Sequence, residues 1–168
     1  MDAADFESYD PELAEMLVGG ALGLEDGLTG YLGLRMTDVG PGFATAEIDV
    51  RPELVHGFGA VHGGVVAAIV DHVLGSAIFP VVPRGTWPAT LEFKLNYLAP
   101  VRDGVIKATG TVLTLRRRTA VVQVDVTNGG VPVAVALGTI SLNPPQARND
   151  SGDAVATTQG GRAGSGGG

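Results

Sequence analysis

The sequence predicts an α+β protein in which an antiparallel sheet packs around one long buried helix. Two observations predict this class: an apolar run from residue 62 to 79, and flanking segments in which apolar and polar residues alternate. Consecutive antiparallel strands that curl around one helix would bury the surface that such a helix presents. The chain has 168 residues, 45% of them hydrophobic, which suits one globular domain of ordinary size.

A helical segment, residues 1–29, is expected to precede this domain. Asp10 followed by Pro11 predicts the N-cap and first turn of a short helix there. The main domain is predicted to span residues 30–142. From residue 143 to 168 the chain is rich in Gly, Ser and Pro and lacks apolar periodicity, so we expect a disordered low-complexity tail.

Alternation with a period of two residues predicts the strands. In the clearest of them, residues 90–98, Phe93 and Leu95 share one face while Glu92 and Lys94 share the other. The predicted strands are 30–39, 42–50, 90–98, 105–118, 119–128 and 131–142.

The apolar run predicts a helix over residues 62–79, because it contains no proline and is bounded by Gly63-Gly64 and Pro80. A helix of this length would extend about 27 Å. Its apolar character on all sides predicts burial on every side. One carboxylate, Asp71, stands inside the run.

Composition excludes several classes of function. The formal charge of -7 would repel a phosphate backbone, so nucleic acid is not an expected partner. The chain has no cysteine and three histidines, so we expect no disulfide, no thiol nucleophile and no metal site. The acidic N-terminus does not resemble a signal peptide, and no charge-free apolar stretch reaches eighteen residues. We therefore expect a cytoplasmic protein with no membrane partner.

The glycine pair at the start of the predicted helix is the first candidate element of a site. A helix start leaves amide N–H groups without partners and carries a partial positive charge, and Gly63 and Gly64 have no side chains to shield it. A carbonyl oxygen that gains negative charge would fit there. Alternatively, the two glycines allow a tight turn or close packing.

The carboxylate in the apolar run is the second candidate. An unpaired buried carboxylate costs several kcal/mol, so something must offset the burial of Asp71. Its neighbours three and four residues away on the same face are Ala67, Ala68, Leu74 and Gly75, three of which are small. This pattern leaves space for a substrate beside the acid. Alternatively, Asp71 pairs with an arginine or a backbone amide from another element.

The spacing of the two candidates predicts a dimer. Nine residues at 100° each place Asp71 about 180° around the helix from His62, and about 12 Å along it from Gly63. One chain therefore cannot bring the acid to the amides. If both act on one substrate, a second subunit must supply one of them across a two-fold axis, giving two equivalent sites.

Two segments carry a resemblance to a known family: VHGGVVAAIVDHVLGSA, residues 61–77, and TLEFKLNYLAPV, residues 90–101. Together they resemble the hotdog-fold acyl-CoA thioesterases of the PaaI type, over about residues 30–142. The resemblance implies a curved antiparallel sheet wrapped around a long central helix. It also implies homodimers or homotetramers that pair their sheets edge to edge and bind the substrate between subunits.

The resemblance also implies roles for individual residues. The Gly63 amide becomes the donor to the thioester carbonyl, His62 shapes the turn before it, and Asp71 becomes the catalytic acidic residue, as nucleophile or base. Thr90 would orient the attacking water or the Asp71 carboxylate. Where the family has Asn or Gln this chain has His56, which would donate a hydrogen bond, add a titrating group or lie in a solvent loop. The residues expected to contact substrate are Gly64, Ala67, Gly75, Arg116, Arg117 and Arg118.

Other residues permit two interpretations each. The basic run 116–118 suits the phosphates of CoA, but a solvated hairpin end is the interpretation that the sequence favours. His72 is expected to be a packed residue rather than a catalyst. Trp87 would line the acyl pocket or cap the core.

The predicted function is hydrolysis of an aryl or medium-chain acyl-CoA to the free acid and CoA. CoA enters as part of the substrate, and no cofactor or metal is expected. The alternatives are an acyl-CoA binding or sensing module, an enoyl-CoA hydratase on the same fold, and a structural protein in which Asp71 is salt-bridged.

Overall fold

The computed structural model of the protein describes residues 6, 8–21 and 27–145. The predicted disorder beyond residue 145 lies outside the described residues, as do positions 1–5, 7 and 22–26 of the predicted N-terminal segment. The helices and strands are α1 (Pro11–Val18), α2 (Leu28–Leu32), β1 (Arg35–Gly40), β2 (Phe43–Asp49), β3 (Val55–His56), β4 (Ala60–Val61), α3 (Gly63–Ser76), β5 (Trp87–Tyr97), β6 (Val105–Leu115), β7 (Thr119–Asn128) and β8 (Val131–Asn143). Short 3₁₀ helices cover Pro52–Leu54 and Phe79–Val81.

Six strands form one antiparallel sheet in the order β1-β2-β6-β7-β8-β5. The helix α3 packs against β2, β5, β6, β7 and β8, so it crosses most of one face of the sheet. Strands β3 and β4 form a separate small hairpin just before α3. This arrangement confirms the predicted α+β class, with one central helix against an antiparallel sheet.

The core lies between α3 and the inward-facing side chains of the strands. On the helix, Ile69, Val70, Val73 and Leu74 have no exposed surface. Alternate residues of β2, β6, β7 and β8 cover them, among them the fully buried Ile48, Ile106, Val122, Val124 and Ile140. Each such side chain contributes about 1.5–3 kcal/mol through burial, so this layer provides most of the driving force for the fold.

The prediction for the central helix is wrong in two respects. The helix ends at Ser76 rather than at 79, because the chain tightens into a 3₁₀ turn that includes Pro80. It is also not buried on every side, since Gly64 and Asp71 are exposed. The sheet covers one side of the helix, and the other side consists largely of small residues that composition counts as apolar.

Strand boundaries differ from prediction by three or more residues at three places. The strand predicted to begin at residue 90, β5, begins at Trp87. Residues 30–34 are not extended: α2 ends there, and Gly33 closes it in the left-handed conformation with φ of 67°. The strand predicted to end at 118 ends at Leu115, so the basic run lies in the turn to β7.

The predicted N-cap of α1 is confirmed, because the Asp10 carboxylate accepts from the Leu13 N–H at 3.1 Å.

The segment Gly63–Val81 is long and apolar enough to span a membrane by length and composition alone. It is the central helix with the turn that follows, and 61% of its most apolar part is buried inside the fold. Burial against the sheet accounts for its hydropathy.

The sheet and helix approach each other closely at Gly110 on β6. A Cβ atom at this position would lie 2.9 Å from the backbone oxygen of Val73. Because backbone atoms of α3 cannot move without shifting the helix, glycine is required here by packing rather than by backbone conformation.

We expect Gly110→Ala to lower the free energy of unfolding by about 1–3 kcal/mol, because the added methyl overpacks the contact between β6 and α3. Urea denaturation followed by circular dichroism would measure the change. Gly57→Ala is the matched control, since a Cβ atom there meets nothing within 4 Å. Equal stability of the two variants would contradict the packing argument.

Candidate active site

The start of α3 is fixed by its N-cap residue, His62. The His62 backbone is extended, with φ of -62° and ψ of 133°, and its Nδ1 accepts from the Gly64 N–H at 3.0 Å. The next amide, that of Val65, donates to the His62 carbonyl at 2.9 Å. Within the described residues no acceptor lies against the Gly63 N–H. The helix start therefore presents one free donor, and His62 determines which one it is.

Tyr97, at the end of β5, packs against the same turn. Its hydroxyl donates to the Gly63 carbonyl at 2.8 Å, and a Cβ atom on Gly63 would lie 2.9 Å from that hydroxyl. Close packing, which the sequence left as an alternative, is therefore one reason for glycine at this position. This contact with Tyr97 does not involve the Gly63 N–H. Gly63 therefore packs against Tyr97 and still has its N–H available as a donor. Sequence reasoning placed Tyr97 in the strand but gave its hydroxyl no role.

His56 lies beside this turn, on the β3–β4 hairpin. Its Nδ1 accepts from the Phe58 N–H at 3.1 Å, and its ring centroid is 6.4 Å from that of His62. Together with Gly63 and Tyr97 it lines a cleft of ≈ 360 Å³. The structure thus brings His56, His62 and Gly63 together at one end of α3.

Asp71 opens onto a different and larger cavity, of ≈ 1020 Å³, between α3 and β5. Its lining includes five residues that the sequence assigned to the site: Gly64, Ala67, Asp71, Gly75 and Thr90. The expectation that Asp71 is buried is wrong for the single chain, because its side chain is exposed to this cavity. No basic side chain within the described residues forms an ion pair with it.

Two lining residues add information that the sequence lacked. Trp87 lines the cavity and meets Phe79 edge to face, with ring centroids 6.2 Å apart. Glu92 lines the same cavity and accepts from the Thr139 hydroxyl at 2.6 Å. A bulge between Thr90 and Glu92 sets its position, and alternation alone could not locate that bulge.

The structure leaves the basic run apart from both cavities. Arg116, Arg117 and Arg118 are exposed in the turn between β6 and β7, and none of them is among the described residues that line either cavity. In the single chain they occupy a solvated hairpin end.

Within one chain the acid and the free amide are separated. Gly63 and Asp71 belong to one unbroken helix, eight residues apart, which corresponds to about 12 Å. They open onto different cavities. One copy of the chain therefore does not place both groups on one substrate.

Comparisons with known proteins agree with this architecture. The family model described as "Thioesterase superfamily" matches residues 58–135. The chain is 31% identical over 120 residues to "Putative esterase Rv1847" of Mycobacterium tuberculosis, covering 70% of this chain and 85% of that protein. Over 106 residues it is 27% identical to human acyl-coenzyme A thioesterase 13, covering 62% and 75%.

Solved structures show the same relationship. A mutant of the phenylacetic acid degradation protein PaaI from Thermus thermophilus superposes with a TM-score of 0.62 at 28% identity, covering 67% of this chain and 96% of that one. The chain belongs to the thioesterase superfamily. The predicted PaaI-type hotdog family is confirmed, and the general activity of this thioesterase is thioester hydrolysis. The roles of individual residues stay predictions.

His72 follows the acid in the chain and lines the cavity of this thioesterase beside it. Burial lowers the pKa of His72 below its ordinary value of 6.5, and the negative charge of Asp71 only partly opposes this shift. Because the folded chain disfavours the protonated form, the unfolded chain binds a proton first as the pH falls. Above about pH 6.5, His72 therefore leaves the free energy of unfolding unchanged. That free energy decreases as the pH falls from there towards the lowered pKa of the folded protein.

We expect His72→Gln to weaken the loss of stability between pH 7.5 and 5.5, because glutamine does not titrate there. Urea denaturation of both proteins at the two pH values would measure the difference. If the variant and the native protein lose the same amount of stability over this range, His72 does not contribute to it.

Proposed function

We propose that the protein hydrolyses an acyl-CoA thioester to the free acid and CoA, as a homodimer with two equivalent sites. The observation that carries the proposal is the position of two groups on one helix. Asp71 faces a large cavity and the Gly63 amide opens at the helix start, and neither has a hydrogen-bond or ion-pair partner among residues 6, 8–21 and 27–145. The human relative is named as an acyl-coenzyme A thioesterase, which supports the substrate class.

The exposed edge of β5 is the surface that a second copy would cover. β5 is the last strand of the sheet, and an edge strand of eleven residues exposes backbone groups that can pair with another strand. Trp87, Leu91 and Tyr97 on this strand are 63%, 62% and 56% exposed. Exposed apolar surface along a free edge favours association over solvation.

A two-fold axis through the middle of β5 would bring the two halves of the site together. Asp71 shares its cavity with Thr90 and Glu92, whereas Gly63 contacts Tyr97 at the other end of the strand. If two copies pair antiparallel about Phe93, the part of β5 beside Asp71 in one copy lies opposite the part beside Gly63 in the other. The Asp71 carboxylate of one subunit then faces the helix start of the other.

Charge supports the same register. With the axis at Phe93, Lys94 of one strand lies opposite Glu92 of the other, so two cross-strand ion pairs flank the axis. With the axis at Lys94, the Lys94 side chains of the two copies, which have the same charge, would face each other across the axis.

The chemistry of the combined site suits a thioester. The Gly63 N–H of one subunit would donate to the carbonyl oxygen as negative charge develops there, an interaction that typically contributes about 10²- to 10³-fold. Asp71 of the other subunit would either attack the carbonyl carbon, forming an anhydride that water hydrolyses, or take a proton from the attacking water. The thiolate of CoA leaves without a proton donor, so the reaction needs no acid on the leaving-group side.

Two neighbours would assist these groups. The Thr90 side chain faces the same cavity as Asp71, where its hydroxyl would orient the water or the carboxylate. His62 occupies the Gly64 amide and thereby leaves the Gly63 amide for the substrate. Contacts of the basic run 116–118 with CoA phosphates, a role for His56, assembly into tetramers and a cytoplasmic location stay predictions.

We expect Asp71→Asn to lower kcat about 10²- to 10⁴-fold while the KM and the dimer are retained, because the substitution keeps shape and removes only the basic charge. Thiol release from a panel of aryl and medium-chain acyl-CoAs would measure turnover, and light scattering would measure assembly. Native protein that binds these thioesters without releasing thiol would support a binding module instead.

We expect Gly63→Pro to lower kcat about 10²- to 10³-fold, because proline removes the donor but suits the first position of a helix. The extended backbone of His62 is also the conformation that precedes proline. Gly63→Ala is the matched control: it adds the same contact with Tyr97 and keeps the N–H. Equal losses in both variants would attribute the effect to Tyr97 packing.

Mixed dimers test whether the site is shared. A dimer of one Asp71→Asn chain and one Gly63→Pro chain has one intact site if the two groups come from different subunits. Isolated through two different tags, it is expected to recover about half of the native turnover. A site within one chain predicts no recovery.

A further inference from the structure

Gly75 differs from the other glycines in the packed parts of the fold. A Cβ atom on Gly63, Gly110 or Gly138 would lie 2.9, 2.9 or 2.8 Å from a neighbouring atom, so a side chain at each would have to displace that neighbour. A Cβ atom on Gly75 would meet nothing within 4 Å among the described residues. Packing within the chain therefore does not explain why position 75 lacks a side chain.

Backbone conformation does not explain it either. Gly75 is not among the described glycines with positive φ, and the chain continues in helical conformation through Ala77, with φ of -66° and ψ of -25°. Glycine destabilises a helix relative to alanine. At this position the chain accepts a residue that weakens α3, and none of the residues that the structure describes makes a compensating contact there.

The empty space at Gly75 lies in the large cavity, one helical turn beyond Asp71 on the same face. The lining of this cavity also includes Phe79, Trp87 and Leu17, none of which carries a charge, and Ser76, which is polar and uncharged. We call the space bounded by Gly75, Phe79, Trp87 and Leu17 the recess. On the other side of the acid, one turn earlier, Ala67 has a methyl group where Gly75 has none.

We propose that the recess holds the acyl group and that Gly75 sets its width. The proposal rests on the proposed thioester hydrolysis, which places the carbonyl carbon at Asp71. The acyl group then extends towards the C-terminal end of α3, where the missing side chain admits a ring or a branch within two or three carbons of the carbonyl. The apolar side chains of the recess, together with the Asp71 carboxylate, favour uncharged acyl groups.

Two substitutions at Gly75 test the proposal. Gly75→Ala and Gly75→Leu fill the recess in steps, and both residues favour the helix. Benzoyl-CoA and phenylacetyl-CoA represent broad acyl groups, and butyryl-CoA and hexanoyl-CoA represent narrow ones. We expect Gly75→Leu to lower kcat/KM for the broad pair by at least about tenfold and for the narrow pair by less than about threefold. Gly75→Ala should give a smaller change in the same direction, with an unchanged or higher Tm.

Ala67→Leu is the matched control, since it adds similar volume to the same cavity one turn before the acid. It should change kcat/KM for both substrate pairs by the same factor.

An equal effect of Gly75→Leu on both pairs, or a native enzyme that strongly prefers the narrow pair, would overturn the proposal and leave thioester hydrolysis intact. Loss of the dimer in Gly75→Leu would also overturn it, because the recess would then receive the partner subunit. Native protein inactive on all four thioesters would overturn both proposals.

Discussion

The packing of one face of α3 against the sheet is the constraint on which the rest of the structure depends. Residues such as Ile69 and Val73 have no exposed surface, and Gly110 allows the strand backbone to approach the helix backbone directly. Close packing of this kind fixes the rotation of the helix about its axis as well as its position. The rotation is what turns Asp71 away from the core and towards β5.

A rigid helix also fixes the distance between Gly63 at its start and Asp71 in its middle. The start is held by the His62 cap and by the Tyr97 hydroxyl, and Asp71 lies about 12 Å further along. No side-chain movement within one chain can close such a gap. The fold therefore separates the helix start from the acid in its middle, and under the proposed function a second helix running in the opposite direction is the simplest way to join them. On this view association of two chains is part of the chemistry.

Sequence patterns with local causes predicted the structure well. Period-two alternation located β2 and β7 to within a residue, and Asp10-Pro11 located the start of α1. Features that depend on distant residues were missed. The contact of Tyr97 with Gly63 joins positions 34 residues apart, and the Leu91 bulge depends on pairing with β8. The expectation of burial around the whole central helix failed because alanine and glycine count as apolar without requiring burial.

The glycines of the fold show most clearly what the sequence leaves open. Gly63 makes room for a phenol and Gly110 makes room for a helix backbone, whereas no residue in the described part of the chain fills the space at Gly75. The three residues are identical in the sequence, and only the atoms opposite each Cα distinguish them. When a glycine weakens a helix and no described residue occupies the space beside it, that space indicates a site for something outside the chain. Because this space adjoins an unpaired acid, a substrate accounts for it more directly than packing does.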